Sequence, residues 1–174
     1  MRNAYISKVE GFCIEDGLAC NSANFNFCRR YYSEGVKRGW RVLRVCLVSP
    51  PYESDVKSVV GVSPPPIGLA YLASVLRDEH DVEVLDANGL GCGLDDVRRE
   101  LKDFYPDVVG ITSVTPSIYQ AYQVAKIAKE VREDCKVIVG GPHATFLPDQ
   151  TFKECRFIDI IVRGEGGGNH QRAG

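Results

Sequence analysis

Residues Cys135–Asp149 read CKVIVGGPHATFLPD. An apolar strand-like run ends at Val139, and the chain leaves it through Gly140, Gly141, Pro142 and His143. A glycine pair at a strand end serves a tight turn or lets backbone pass close to a ligand, because glycine carries no Cβ and accepts positive φ. How the rest of the chain places this exit decides both the fold and the role of the segment.

Similar runs recur on both sides. VLRVCLVSP (42–50) reads as a first strand, DVEVLDA (81–87) as a second, DVVGIT (107–112) as a third, CKVIVG (135–140) as a fourth and FIDIIVRGEGG (157–167) as a fifth with its exit loop. Between them lie helical stretches. IGLAYLASVLRDE (67–79) reads as a largely buried helix, and LDDVRRELKDF (94–104) spaces Leu94, Val97, Leu101 and Phe104 at helical intervals. SIYQAYQVAKIAKEVRE (117–133) is strongly amphipathic, and PDQTFKE (148–154) predicts a short helix. Strands that are apolar runs, alternating with helices, predict a parallel sheet covered on both faces. The expected fold is therefore α/β, a flavodoxin-like or Rossmann-like three-layer sandwich with a five-stranded parallel sheet in the order 2-1-3-4-5.

The 174 residues suit one domain with a real core. Residues 41–168 hold the regular pattern. Residues 1–40 lack periodicity and predict an irregular extension, disordered or mis-started, and 169–174 form an atypical tail. Apolar residues make up 44% and charged residues 25%, with a net charge of -2 that gives no argument for a nucleic-acid partner. No apolar run reaches the roughly 18 residues of a membrane span, and the N-terminus lacks a signal peptide's apolar core, so a cytoplasmic setting is expected. Of the seven cysteines, Cys46 and Cys135 fall in or beside strands as small buried hydrophobes. Cys13, Cys20 and Cys28 lack the close pairing of a zinc knuckle.

The unusual residues collect where the strands end, the edge at which open parallel sheets bind ligands. The first strand leads into Pro50, Pro51 and Tyr52, the third into Ser113, Val114 and Thr115, the fourth into Gly140–His143, and the fifth into Arg163, Gly164 and Glu165. Asp86 closes the second strand, where a carboxylate caps the next turn. Ser113 and Thr115 offer hydroxyls to a ligand or to the following helix. No GxxxxGK[ST] and no GxGxxG after the first strand is present; GLGCG (89–93) follows the second strand and reads as a flexible turn. No Ser-His-Asp order is defensible.

In combination, VCLVSPPYE, PPPIGLAYLASVLRDEHDVEVLDA, PDVVGITSVTPSIYQAYQVAKIAKEV, VIVGGPHATFLPD and DIIVRGEG resemble the N-terminal cobalamin-binding domain of class B, cobalamin-dependent radical-SAM enzymes. The resemblance implies a cobalamin cofactor, with its cobalt, over the C-terminal strand ends and its nucleotide tail beside the sheet. It implies contacts from Pro50, Pro51, Tyr52, Ser113, Val114, Thr115, Gly140, Gly141, Pro142 and His143, with Glu165 at the rim. The DxHxxG cobalt-ligating motif is missing: Asp78 and His80 match its opening, but Glu83 stands where glycine is required. His143 is expected to support by shape and hydrogen bonding rather than to ligate metal, and no residue here is expected to be catalytic.

The CxxxCxxC segment that holds an iron–sulfur cluster in such enzymes is missing from these 174 residues, so no iron–sulfur cluster is expected in this chain. The chain therefore reads as a truncated, frame-disrupted or split piece whose radical-SAM barrel is a separate partner, serving a methyltransferase or cyclase. The competing readings are a non-enzymatic interaction or regulatory module on the same fold, and a flavin or nucleotide domain.

Overall fold

The computed structural model describes residues 41–52 and 64–164, with three short strands at 4–6, 14–15 and 18–19. The remaining residues, among them Cys13, Cys20, Cys28, Glu165 and the 169–174 tail, lie outside the described ones.

Five parallel strands carry the domain: β1 (Arg44–Ser49), β2 (Asp81–Asp86), β3 (Val108–Thr112), β4 (Lys136–Gly140) and β5 (Ile160–Val162). Their order is β2-β1-β3-β4-β5, the arrangement expected from the sequence. These are the five parallel strands expected, and a short strand at Ala4–Ile6 adds parallel to β5 as a sixth at that edge. Ile14–Glu15 and Leu18–Ala19 pair antiparallel as a separate two-stranded unit.

The helices are α1 (Ile67–Leu76), α2 (Ala87–Leu90), α3 (Leu94–Phe104), α4 (Ile118–Val131), α5 (Pro142–Phe146) and α6 (Pro148–Glu154). Alternate residues of each strand serve opposite faces. Cys46 and Val48 of β1 join Val97 and Leu101 of α3, Val124 of α4 and Phe152 of α6 in the larger core. Val45 and Leu47 of β1 join Leu69 of α1 in the smaller one. The β1-to-β2 crossover runs along the sheet in the opposite direction from the later ones. Right-handed connections therefore put α1 on one face and α3, α4 and α6 on the other.

The sequence predicts a largely buried helix at 67–79, and here the structure differs. Only Leu69 of α1 is fully buried, while Ile67 is 75% exposed and Tyr71 and Val75 are also exposed. An all-round apolar composition suggests burial, but α1 presses only one side onto Val45, Leu47 and Val108.

Two aspartates pin the N-terminal edge of the sheet. Asp107, just before β3, accepts the Arg44 backbone N–H of β1 at 2.9 Å and pairs with Arg41 and Arg132, each at 2.8 Å. Asp159, just before β5, accepts the Val137 N–H of β4 at 2.8 Å and the Lys129 ammonium at 2.7 Å. Each carboxylate satisfies a strand-end donor and a cation from the end of α4, where the helix dipole favours positive charge.

Burial pushes the Cys46 thiol up to about 12, with the Glu83 carboxylate adding to the effect, and the Cys135 thiol to about 11. Native protein should therefore react with a thiol reagent at neutral pH at Cys92, which is half-buried, well before Cys46, Cys135 or Cys155. Labelling followed by peptide mass spectrometry checks this. Because the unfolded thiols ionise first, near 9.0, their contribution makes stability fall as pH rises from there toward 12. Urea melts across that interval should show midpoints decreasing with pH.

Candidate functional site

In β2-β1-β3-β4-β5 order, Leu85, Val48, Ile111, Val139 and Ile161 stand in register across the sheet, all buried. One residue later the chain reaches the C-terminal edge through Asp86, Ser49, Thr112, Gly140 and Val162. The exits from β1, β3 and β4 are thus brought to one level, and Pro50–Tyr52, Ser113–Thr115 and Gly140–His143 lie on or directly after them, while Glu165 lies outside the described residues.

Pro50 is fully buried, and Pro51 and Tyr52 are half-buried. Ser113 is completely buried, and its hydroxyl donates to the Gly140 carbonyl at 2.8 Å, while its own N–H donates to the same oxygen at 2.9 Å. This bond is neither the helix cap nor the free ligand donor considered from sequence. Ser117 stands at the N-cap position of α4 without a side-chain cap bond; its hydroxyl instead accepts the Val114 N–H at 3.1 Å across the 3₁₀ turn. Ser117 was not singled out from sequence; its position three residues into the turn is the available signal. Thr115 is exposed and begins a 3₁₀ turn at Thr115–Ser117.

Gly140 and Gly141 have different reasons to be glycine. Gly141 has φ 96°, and a Cβ there would sit 2.6 Å from the Ser113 carbonyl oxygen and 2.8 Å from its nitrogen. The missing side chain makes room for the neighbouring strand's backbone. A Cβ on Gly140 would meet nothing closer than Val162 at 3.8 Å, an ordinary contact. Packing therefore does not require glycine at position 140.

His143 sits in the first turn of α5, not in a loop, with Pro142 starting that helix without needing a backbone donor. Its N–H donates to the Ser113 carbonyl at 3.2 Å, and its Nδ1 pairs with the Thr115 hydroxyl at 3.2 Å. Its Nε2 is buried without a hydrogen-bond partner. The histidine therefore ties the β3 exit to the β4 exit. Thr145, which the sequence reading passed over, continues the tie: its hydroxyl donates to the Gly141 carbonyl and accepts the Gly164 N–H beyond β5. Asp86 caps α2 through the Gly89 N–H at 2.9 Å, and Gly91 ends that turn at φ 68°, as expected for GLGCG. Among the described residues, no group of three or more His, Cys, Asp or Glu is placed to hold a metal ion. No helix there is long and apolar enough to cross a membrane.

The family model of the B12 binding domain matches residues 53–171. Among curated proteins, the chain is 51% identical over 126 residues to the uncharacterized methyltransferase PH0819 of Pyrococcus horikoshii, covering 72% of this chain and 28% of that protein. It is 41% identical over 126 residues to the anaerobic magnesium-protoporphyrin IX monomethyl ester cyclase of Rubrivivax gelatinosus, covering 71% and 22%. The chain thus spans about a quarter of the length of these relatives. Its fold matches the structure of the cobalamin-dependent S-adenosylmethionine radical enzyme OxsB with aqua-cobalamin and S-adenosylmethionine bound, at a TM-score of 0.60 and 22% identity, over 72% of this chain and 17% of that one.

The two glycines should separate experimentally. Gly141→Ala combines a positive φ with a backbone clash and should cost roughly 2–4 kcal/mol. Gly140→Ala has room and should stay within about 1 kcal/mol of the parent in urea denaturation. Equal losses at both positions would contradict this division.

Proposed function

The chain belongs to the B12 binding domain family and is a cobalamin-binding domain homologous to those of radical-SAM methyltransferases and cyclases; on that premise we propose that it holds the corrinoid at the C-terminal edge of the sheet for a radical-SAM barrel carried outside these 174 residues. The observation that supports the placement is the joining of the β3 and β4 exits by the Ser113 and His143 hydrogen bonds at the C-terminal edge, beside a Gly140 that packing does not require to be glycine.

The residues present fit such a group. A broad planar ligand needs a surface with few projecting side chains; Gly140 has no Cβ, and Thr115 on the neighbouring exit is a side chain of modest size. Ser113 and His143 act from beneath: both are buried, and their bonds hold the exits at a constant separation. Because Nε2 of His143 is buried and Nδ1 is engaged by Thr115, the ring supports the surface instead of presenting a nitrogen to cobalt. When bound, cobalamin supplies the cobalt-centred group-transfer chemistry, and the protein contributes position and surroundings.

Large apolar side chains also stand exposed at this edge. Tyr119 in the first turn of α4 is 70% exposed, and Phe146 at the end of α5 is 81% exposed. A corrinoid with a catalytic domain above it would cover such a rim. A second reading, a protein-interaction module on the same fold, draws on the exposed α1 stripe of Ile67, Tyr71 and Val75.

Anaerobic titration of folded protein with hydroxocobalamin and methylcobalamin, followed by absorption spectroscopy, separates the two. The expected result is saturation near one corrinoid per chain with shifted bands, whereas folded protein that binds neither form would favour the interaction module.

A further inference from the structure

We propose that Thr145 is a positioning residue that locks the β5 exit onto the ligand edge and so slows release of the bound corrinoid. The inference rests on the cobalamin reading above.

The Thr145 hydroxyl joins two segments through one oxygen. It donates to the Gly141 carbonyl at 2.8 Å and accepts the Gly164 N–H at 3.0 Å. A third bond runs from Arg163 Nε to the Thr145 carbonyl at 3.2 Å. Gly141 is itself wedged against Ser113, and Ser113 is bonded to Gly140. The exits of β3, β4 and β5 therefore form one hydrogen-bonded rim, with Thr145 as the link to β5. Without its hydroxyl, the three-residue β5 keeps its strand pairing, but beyond Val162 its exit keeps only the Arg163 Nε bond to the Thr145 carbonyl. Gly164 also adopts φ 77° with nothing within 4 Å of a built Cβ, so packing does not hold it; its N–H bond to Thr145 does.

Gly164 and Arg163 are exposed, so water replaces a lost bond there at little cost to global stability. What the lost bond changes is where the exit sits. This separates a positioning role from a structural one.

The test compares Thr145→Val, which keeps the shape and loses the hydroxyl, with Thr145→Ser, which retains it. Ile127→Val, in the core of α4 away from the edge, serves as a stability control. In ligand-free protein, Thr145→Val should accelerate amide exchange at Gly164. In hydroxocobalamin titrations it should raise the dissociation constant roughly tenfold, mostly through faster release, with the urea midpoint nearly unchanged. Thr145→Ser should bind as the parent does, and so should Ile127→Val. The proposal is overturned if Thr145→Val binds like the parent, if Thr145→Ser fails to restore binding, or if Ile127→Val weakens binding equally. A parent protein that binds no corrinoid overturns the cobalamin reading itself, and that result is read before any variant is compared.

Discussion

The close approach of Gly141 to Ser113 is the constraint on which the ligand edge depends. Any Cβ at Gly141 would overlap the Ser113 backbone. With that space empty, the Ser113 N–H and hydroxyl both reach the Gly140 carbonyl, and the His143 N–H reaches the Ser113 carbonyl. These bonds carry the pairing of β3 and β4 past the end of the sheet. Ser113 is fully buried, so its polar groups must find partners within the protein, and the neighbouring exit provides them. Placement of α5, of His143 and of Thr145 follows from this junction.

The opposite edge uses charge for a comparable purpose. Asp107 joins the start of β1 to Arg132 at the end of α4, and Asp159 joins the start of β4 to Lys129. A carboxylate accepting a backbone N–H beside a cation satisfies groups that would otherwise be costly to leave unpaired as the sheet closes. The two edges thus divide the work. The N-terminal edge holds register with ionic side chains, and the C-terminal edge holds shape with glycine and hydroxyls.

Much of the fold was legible because parallel strands buried on both faces must be apolar runs, and crossover helices must be amphipathic. VVGIT and KVIVG could be read as strands, and the helix through Ile118–Val131 declared itself by its period. The α1 segment misled for a physical reason: its composition is apolar all round, yet it meets Val45, Leu47 and Val108 with one side only and leaves Ile67, Tyr71 and Val75 exposed. The short helix α5 was also missed, since Gly-Gly-Pro-His reads as a loop until Pro142 is seen as a helix start. Thr145 gave no signal, because its two partners lie 4 and 19 residues away along the chain.

By itself, then, the sequence determined the alternation of strands and helices and the gathering of glycines, prolines and hydroxyls at one edge, while the strand order, expected from the fold class, was fixed only by the pairing of the strands. The first two follow from local periodicity and from the handedness of connections, both properties of the chain read in order. The tertiary structure decided which glycine the neighbouring backbone requires and which has only an ordinary contact around it. It also decided whether the Ser113 hydroxyl is spent or free, and which side chain carries the β3 and β4 exits on to β5. Those outcomes depend on distances between segments remote in sequence, where the placement of a single Cβ or hydroxyl sets the result.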